Sequence, residues 1–369
     1  MERRTLLTGF AAIGAATLIG CSNDDDKPTP TRKPSNTPTE PATTQTPTSV
    51  NPKIASTIAT GLNVPWDIVF LENGDALVSQ RDEGSIVRIS TSGKVTKVGD
   101  VDGASGGAGG EGGLLGLALA PDDESTLFAF VTTASDNRVV RLTLDGDALG
   151  SQKPILTGIA IGSRHHGGRL LFDGDGDLFV STGDAGDGAL AQDKGSLNGK
   201  ILRITRDGKA APGNPFGNRT WSYGHRNIEG LAYDADGRLW ASEFGEKSAD
   251  ELNLIKRGGN YGWPRAEGRS DNRDFTNPKV TWGTDECSPA GVAITRSTAF
   301  VGALQGECLF AVSLDGEDVG KPKAYFGGDH GRIRTVTTAP DGALWVATSN
   351  TDGRGDLRKG DDRIFRVTL

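Results

Sequence analysis

The stretch Asp341-Gly-Ala-Leu-Trp-Val-Ala347 joins a tight turn to a short apolar strand. Three further copies of this phrase are Asn73-Gly-Asp-Ala-Leu-Val-Ser79, Asp175-Gly-Asp-Leu-Phe-Val-Ser181 and Asp236-Gly-Arg-Leu-Trp-Ala-Ser242. Asn-Gly and Asp-Gly between alternating apolar runs are the strongest short-range signal for a β-hairpin. Two degenerate copies, Ser125-Thr-Leu-Phe-Ala-Phe130 and Ser297-Thr-Ala-Phe-Val-Gly302, bring the number of copies to six.

The spacing of these copies predicts the architecture. They lie roughly 45 to 60 residues apart, which is the interval of propeller blades with about four strands each. The sequence therefore predicts an all-β, six-bladed β-propeller with four-stranded antiparallel blades around a central channel. We expect the C-terminal strand Arg363–Val367 to pair with N-terminal strands and close the ring. The alternative is a β-sandwich or a pair of barrels.

The first residues are typical of an export signal. Arg3-Arg4, a short apolar run and the box Leu18-Ile-Gly-Cys21 predict a lipoprotein signal peptide over residues 1–20. Cys21 would carry the lipid, and this lipid is the only membrane attachment that we expect. The arginine pair is compatible with twin-arginine export. The sequence thus predicts an exported protein anchored to the outer face of the cell membrane.

Composition separates a tether from a folded body. Residues 21–50 are rich in Pro, Thr and Ser and have almost no large apolar side chain, which predicts a disordered tether after the lipidated cysteine. Residues 51–369 are expected to form the propeller. The net charge is −8 and no basic stripe occurs, which argues against nucleic-acid binding.

Two cysteines remain in the body of the chain. Cys287 precedes a predicted strand and Cys308 opens another, at the same end of one sheet. In an oxidising compartment this placement favours a disulfide between them. Two buried free thiols are the alternative.

Two short loops flanked by glycine gather residues capable of proton transfer. Three of the four histidines lie in Ser163-Arg-His165-His166-Gly-Gly-Arg169 and Gly224-His-Arg-Asn227, and Gly183-Asp184 lies between these segments. An imidazole, a carboxylate and a guanidinium are the groups needed to remove a proton and stabilise the resulting charge. The loops therefore predict an active site.

Motifs in this order give the chain a resemblance to a known family. They include Val64-Pro-Trp66, Gly112-Gly-Leu-Leu-Gly116, His165-His-Gly-Gly-Arg169, Trp221-Ser-Tyr-Gly-His-Arg-Asn227, Asp250-Glu-Leu-Asn253, Asn260-Tyr-Gly-Trp-Pro264, Ser288-Pro-Ala-Gly291 and Arg332-Ile-Arg334. The chain resembles the soluble pyrroloquinoline quinone (PQQ)-dependent sugar dehydrogenases, the glucose/sorbosone or aldose sugar dehydrogenase family. The resemblance covers residues 54–369.

The resemblance implies an activity and its catalytic residues. It implies oxidation of the C1 hydroxyl of aldoses to lactones, by hydride transfer to calcium-bound PQQ, with electrons passed to an external acceptor. His165 would be the general base and Asp184 would orient its imidazole. Arg226 would stabilise the charge that develops on the quinone oxygen.

The resemblance also implies residues that hold the cofactor and calcium. Cofactor contacts would come from Glu111, Asn227, Gln305, Arg332 and Arg334. One calcium ion would bind backbone carbonyls of the loop that contains Gly245 and Glu246. A second, structural calcium region would contain Asp250, Glu251 and Tyr261.

Two residues depart from the family pattern. Glu111 stands where the family often has glutamine, and Gln305 stands where it often has lysine. Both changes make the site less positive, so we expect them to weaken binding of an anionic cofactor.

The sequence leaves two other functional classes open. One is a six-bladed lactonase with a single metal ion in the channel, and the other is a non-enzymatic sugar-binding or adhesion propeller.

Four tryptophans are expected mainly in the core between blades: Trp221, Trp240, Trp263 and Trp345.

Overall fold

The computed structural model describes residues 50–107 and 109–369. The predicted signal peptide, the lipid site Cys21 and nearly all of the predicted tether lie outside the described residues. Within the described part of the chain, no helix has the length and apolar character needed to cross a bilayer.

Within residues 50–107 and 109–369, the regular structure consists of twenty-five strands and one short helix, α1 (Ala189–Gln192). The strands are β1 (Lys53–Ala59), β2 (Pro65–Phe70), β3 (Ala76–Gln80), β4 (Ser85–Ile89), β5 (Val95–Asp100), β6 (Leu114–Ala120), β7 (Asp123–Thr132), β8 (Asn137–Asp145), β9 (Ala148–Ile159), β10 (Gly167–Phe172), β11 (Leu178–Thr182), β12 (Lys200–Ile204), β13 (Thr220–Tyr223), β14 (Ile228–Tyr233), β15 (Leu239–Glu243), β16 (Asp250–Leu254), β17 (Val280–Trp282), β18 (Pro289–Thr295), β19 (Thr298–Ala303), β20 (Cys308–Asp315), β21 (Asp318–Val319), β22 (Lys323–Tyr325), β23 (Ile333–Thr338), β24 (Leu344–Thr348) and β25 (Ile364–Thr368).

These strands form six antiparallel sheets, so the predicted six-bladed propeller is confirmed. Five blades have four strands each. In the remaining blade, β20 pairs with both β21 and β22, and two short strands therefore share the outer position. The innermost strands β2, β6, β10, β14, β18 and β23 contact one another in a closed ring around the channel.

The ring closes by combining the two ends of the described chain in one blade. Its strand order is β1-β25-β24-β23, with β1 from the N-terminal side and the other three strands from the C-terminus. The register pairs Lys53 with Thr368 and Ala59 with Ile364. The expected pairing of the C-terminal strand with N-terminal sequence is therefore confirmed.

The serine that ends the repeated phrase joins one blade to the next. The hydroxyl of Ser79 donates to the carbonyl of Leu115 at 2.7 Å, and the hydroxyl of Ser181 donates to the carbonyl of Ile228 at 2.9 Å. Ser242 makes the same bond to Ala290. Each acceptor lies on the innermost strand of the following blade, so the repeat supplies an inter-blade hydrogen bond as well as a hairpin.

Ion pairs cross the interior of the channel. Arg169 on β10 pairs with Asp67 on β2, and its guanidinium carbon lies 4.5 Å from the centre of the Trp66 ring. Arg334 on β23 pairs with Glu229 on β14 at 2.5 Å. Buried charges of opposite sign thus satisfy one another where the inner strands converge.

The predicted disulfide is wrong, because Cys287 and Cys308 are both free and buried. Both belong to an apolar cluster that includes Trp240, Val292 and Val301. Burial raises the pKa of both thiols, that of Cys308 to about 11. Thiolate is the reactive form in disulfide chemistry, so these residues behave as small apolar side chains.

The four tryptophans expected between blades divide into two groups. Trp240 and Trp345 are buried, and Trp345 packs edge-to-face on Phe70 of the neighbouring blade with ring centres 4.9 Å apart. Trp221 and Trp263 are only half-buried. Trp263 lies beside the candidate active site and contacts two of its residues.

Candidate active site

A cavity of about 530 Å³ opens at one end of the channel. Half of its wall comes from residues that immediately precede the inner strands, and most of the other lining residues follow the second strands of the blades. Both sets of residues therefore meet at the same end of the ring. The lining residues are Arg81, Glu111, Ser163, Arg164, His165, Arg226, Asn227, Glu229, Phe244, Gly245, Ser288, Leu304, Gln305, Arg332, Arg334 and Arg354. Six are arginines and two are glutamates, so the wall favours an anionic ligand.

His165 is fixed in the wall by its backbone and by its side chain. Its φ of 62° lies in the left-handed region, which few non-glycine residues adopt. The backbone N–H donates to the carboxylate of Glu111 at 2.7 Å, and the carbonyl accepts from the N–H of Ala185 at 3.2 Å. The imidazole Nδ1 lies 2.6 Å from Oδ1 of Asp184. Because a carboxylate accepts, Nδ1 carries the proton and Nε2 keeps a lone pair for a base.

Asp184 receives three hydrogen bonds. Its Oδ1 accepts from the imidazole and from the N–H of Gly186 at 2.7 Å, and its Oδ2 accepts from the indole N–H of Trp263 at 2.8 Å. Burial raises the pKa of Asp184, but its contacts with His165, Gly186 and Trp263 outweigh burial and leave the pKa below its ordinary value. The carboxylate is therefore ionised and can orient the imidazole.

Arg226 lines the same cavity as His165. Its Nε donates to Oε2 of Glu246 at 3.0 Å, and its Nη2 pairs with the same oxygen. Its backbone N–H donates to Glu243 at 2.5 Å. The guanidinium carbon lies 5.5 Å from the centre of the Trp263 ring. The general base and the cation predicted from the sequence thus face one cavity.

The remaining predicted cofactor residues also line this cavity. Asn227 connects the two glycine-flanked loops, because its Oδ1 accepts from the N–H of Gly167 at 2.9 Å. Arg332 and Arg334 are buried, and each is oriented by an acidic partner. Arg332 donates to Asp352 at 3.0 Å, whereas Arg334 pairs with Glu229. Their roles in binding a cofactor stay predictions.

The two departures from the family pattern have different environments. Both oxygens of Glu111 are in use, since Oε2 accepts from His165 and Oε1 accepts from Arg354 at 3.1 Å. Burial raises the pKa of Glu111, but these partners together leave it lowered, so the group is anionic. Arg354 therefore offsets the charge that we expected to weaken cofactor binding. Gln305 lies on the wall with no such compensating partner among the described residues.

The residues predicted to bind the first calcium ion border the cavity. Gly245 lines its wall, and the side chain of Glu246 pairs with Arg226 and Arg164. Among the described residues no hydrogen bond reaches the backbone carbonyl of Gly245 or of Glu246. Carbonyl oxygen is a hard ligand that suits calcium, so these two carbonyls fit the predicted role. The described residues contain no cluster of three or more His, Cys, Asp or Glu side chains arranged for a metal ion.

The residues predicted for a second calcium ion do not share one side of the sheet. Asp250 accepts from the N–H groups of Gly245 and Ser288 at 2.8 and 2.6 Å, next to the cavity. Glu251, the next residue on β16, has its side chain on the opposite face. It accepts from the amide of Asn253 at 2.8 Å, and burial together with Glu243 raises its pKa to about 8.

Tyr261 lies on the same side as Glu251. Its hydroxyl donates to the carbonyl of Leu254 at 2.6 Å and accepts from the N–H of Lys256 at 2.9 Å. Tyr261 and Glu251 both line a void of about 10 Å³ behind Arg226. The structure therefore brings Glu251 and Tyr261 together and leaves Asp250 apart from them.

Two contributors to the site were not assigned a role from the sequence, and a third, Glu243, was placed there only as part of the loop expected to supply carbonyls to calcium. Trp263 and Arg354 come from loops without histidine or repeated motifs, so only their places in Asn260-Tyr-Gly-Trp-Pro264 and Asp352-Gly-Arg-Gly355 could have drawn attention to them. Glu243 holds the Arg226 loop, because its carboxylate accepts a hydrogen bond from the backbone N–H of Arg226. It also accepts from the buried His225 at 2.9 Å.

Comparisons with known proteins agree with this geometry. The family model described as Glucose / Sorbosone dehydrogenase matches residues 62–359. Aldose sugar dehydrogenase YliI of Escherichia coli is 36% identical over 216 residues, which cover 51% of this chain and 58% of that protein. Quinoprotein glucose dehydrogenase B of Acinetobacter calcoaceticus is 27% identical over 293 residues, covering 66% of this chain and 61% of that protein.

Solved structures show the same similarity. The PQQ-bound form of an aldose sugar dehydrogenase from Streptomyces coelicolor superposes with a TM-score of 0.83 and 48% sequence identity. The match covers 86% of this chain and 97% of the other.

Proposed function

The chain belongs to the glucose/sorbosone dehydrogenase family, and on that basis we propose that it is a PQQ-dependent aldose dehydrogenase that oxidises the C1 hydroxyl of a sugar to a lactone. The observation that carries the proposal is the placement of His165 and Arg226 on one arginine-lined cavity. In the reaction the sugar would lose a hydride from C1 and a proton from its hydroxyl. Bound PQQ would supply the hydride acceptor, and an external acceptor would take the two electrons.

His165 takes the proton. Its Nε2 has a lone pair because Asp184 accepts the Nδ1 proton at 2.6 Å. The same carboxylate stabilises the imidazolium that forms when Nε2 is protonated. General base catalysis of this kind contributes about 10² to 10⁴ in rate.

Arg226 stabilises negative charge across the cavity. Its guanidinium is fixed by Glu246 and by the Trp263 ring, so little reorganisation is needed when charge develops opposite it. Asn227 keeps the loop of Arg226 in register with the loop of His165 through Gly167.

The cavity fits PQQ, a flat molecule with three carboxylates. Its arginines outnumber its glutamates, and Nη2 of Arg81 is a buried donor without a hydrogen-bond partner among the described residues. Arg332 and Arg334 are the residues that would hold cofactor carboxylates, since a guanidinium binds a carboxylate through two parallel hydrogen bonds.

Calcium would bind beside the cofactor at the carbonyls of Gly245 and Glu246. Asp250 supports this loop, because its carboxylate accepts from the N–H of Gly245. Glu251 and Tyr261 remain the candidate ligands for the second calcium ion. Asp250 instead supports the loop that would bind the first calcium ion.

Export and lipid anchoring belong to the same proposal. The Arg3-Arg4 pair and the Cys21 box support attachment of the enzyme to the outer face of the cell membrane. A Cys21→Ala variant expressed in the native host should be released into the soluble fraction, whereas the unchanged protein should stay with the membrane. Release of both forms would contradict the anchor.

The enzymatic proposal has a direct test by reconstitution. The purified apoprotein should gain dye-linked aldose oxidation only when PQQ and Ca²⁺ are added together. Activity with Ca²⁺ alone on lactones would instead favour a single-metal lactonase. Sugar binding without turnover, unaffected by His165→Ala, would favour a binding module.

A further inference from the structure

We propose that Trp263 is a positioning residue that holds the two halves of the active site in register. Its indole N–H donates to Oδ2 of Asp184 at 2.8 Å, and its ring lies under the guanidinium of Arg226, 5.5 Å from ring centre to guanidinium carbon. One side chain therefore contacts both the partner of the base and the cation opposite the base. This inference rests on the proposed function.

The contact with Asp184 restricts the carboxylate. Asp184 can rotate about its χ2 bond, and Oδ1 must stay 2.6 Å from the imidazole to keep the proton on Nδ1. Gly186 shares Oδ1, so within the described residues Trp263 supplies the only hydrogen bond to Oδ2. A donor on the second oxygen fixes the plane of the carboxylate and with it the plane of the imidazole.

The contact with Arg226 restricts the guanidinium. Glu246 binds one edge of the guanidinium through Nε and Nη2, and the indole covers its face. A cation over an aromatic face is stabilised by the ring quadrupole, and tryptophan is the strongest partner of this kind. The edge and face contacts together define one orientation of the cation in the cavity.

Trp263 is itself held by the loops that it connects. Its backbone N–H donates to the carbonyl of Gly224 at 3.0 Å, next to the segment that carries Arg226. Its carbonyl accepts from the side chain of Gln192 on α1 at 2.7 Å. Helix α1 lies in the connection that contains Asp184, and the buried ammonium of Lys200 donates to the carbonyls of Leu190 and Ala191 there. The indole is thus anchored to both catalytic segments.

Two substitutions separate the contacts. Trp263→Phe keeps an aromatic face under Arg226 and removes the donor to Asp184, whereas Trp263→Leu removes both. We expect kcat of the reconstituted enzyme to fall about tenfold in the Phe variant and about 100-fold in the Leu variant, with KM changed less than about threefold. Equal losses in the two variants would overturn the role toward Arg226.

A second readout does not depend on turnover. The chain has four histidines, so selective ¹⁵N-histidine labelling gives a spectrum in which His165→Gln identifies the His165 signals. In the apoprotein the Nδ1 proton resonance of His165 should move in Trp263→Phe. An unchanged resonance would overturn the role toward Asp184.

Trp282→Phe is the matched control. The indole N–H of Trp282 is buried and has no hydrogen-bond partner in the described structure, so its loss removes no hydrogen bond, and phenylalanine keeps an aromatic ring against Phe310. The His165 resonance and kcat should stay as in the unchanged protein. If the unchanged protein fails to oxidise aldoses while the resonance moves in Trp263→Phe, the proposed function is wrong and the positioning role stands.

Discussion

Glu111 combines two contacts that determine the charge of the cavity. Its carboxylate accepts from the N–H of His165 and pairs with Arg354, a residue 243 positions away in the sequence. The ion pair joins the loop before β6 to the loop after β24. We infer that Arg354 keeps the site suitable for an anionic cofactor although a glutamate stands at this position.

Glu111→Gln should therefore strengthen PQQ binding. The amide oxygen can still accept from His165, while the cavity loses one negative charge and the Arg354 guanidinium becomes available to the cofactor. We expect about a tenfold lower Kd, measured by absorbance titration of the apoprotein at low ionic strength. The double variant with Arg354→Gln should return close to the original affinity, and weaker binding by Glu111→Gln alone would contradict this assignment.

His166 should make the fold sensitive to acid. Burial lowers its pKa to about 4, and its Nδ1 lies 3.1 Å from Oδ1 of Asn137. Because an unfolded histidine titrates near 6.5, the unfolded chain binds more protons between these two values. The neutral imidazole makes its full contribution to the unfolding free energy above pH 6.5. This contribution, about 3 kcal/mol, is lost as the pH falls towards 4.

Urea unfolding of the apoprotein at pH 7.5 and pH 4.5 measures this loss. His166→Gln keeps a polar side chain beside Asn137 and removes the titrating group. The difference in unfolding free energy between the two pH values should be smaller in the variant by about 2 kcal/mol. The same difference in both proteins would show that other groups control the acid response.

The candidate catalytic residues could be predicted from the sequence only where a motif marks them. His165, Asp184 and Arg226 stand in short glycine-flanked segments. The structure places His165 and Arg226 on one cavity and Asp184 in contact with the His165 imidazole. Trp263 and Arg354 reach the site through side-chain contacts between loops distant in sequence, which no local pattern encodes. The disulfide prediction was wrong for a related reason, since placement at the same end of a sheet does not determine whether two thiols form a bond.

Hairpins were the best predicted elements, because Asp-Gly and Asn-Gly turns act locally. The second function of the repeat was not predicted. Its final serine has its hydroxyl buried against the next blade, and this contact depends on the arrangement of neighbouring sheets. Helix α1 was not predicted either, since it has only four residues and depends on contacts such as those of Lys200.

Ser79→Ala tests the inter-blade bond. The hydroxyl donates to the carbonyl of Leu115 at 2.7 Å and accepts from the N–H of Asp67 at 3.0 Å, so alanine leaves two buried backbone groups without this partner. We expect the unfolding free energy in urea to fall by about 2 to 3 kcal/mol with an unchanged m-value. Ser92 is exposed, so Ser92→Ala serves as the control and should change the unfolding free energy by less than about 0.5 kcal/mol. Similar values for both variants would argue against the role of the serine.

Ring closure determines whether the whole propeller is stable. Strand β25 pairs with β1 on one side and β24 on the other, so its removal leaves β1 without a partner and breaks the contact between the ends of the ring. The closure could be predicted from the sequence because six repeats and one unmatched terminal strand leave few arrangements. Which charged residues pair with one another across the channel could not be predicted from the sequence.

A chain that ends at Arg363 should not form a stable propeller. We expect the full chain to show a cooperative thermal transition by circular dichroism and the shortened chain to lose it. A chain with residue 369 joined to residue 53 by a flexible linker, and with new ends between Asp145 and Gly146 in the exposed β8–β9 turn, keeps every strand pair and should unfold cooperatively. A cooperative transition in the shortened chain would contradict the closure role.

The central claim is that His165 removes the sugar proton in a cavity that holds a redox cofactor. The most direct test is the absorption spectrum of protein reconstituted with PQQ and Ca²⁺, recorded without oxygen before and after an aldose is added. Reduction of the bound quinone should be complete within seconds for the unchanged protein and slowed at least about 100-fold in His165→Gln, with PQQ bound in both. Equal reduction rates in the two proteins, or failure of the unchanged protein to reduce its quinone, would contradict the account.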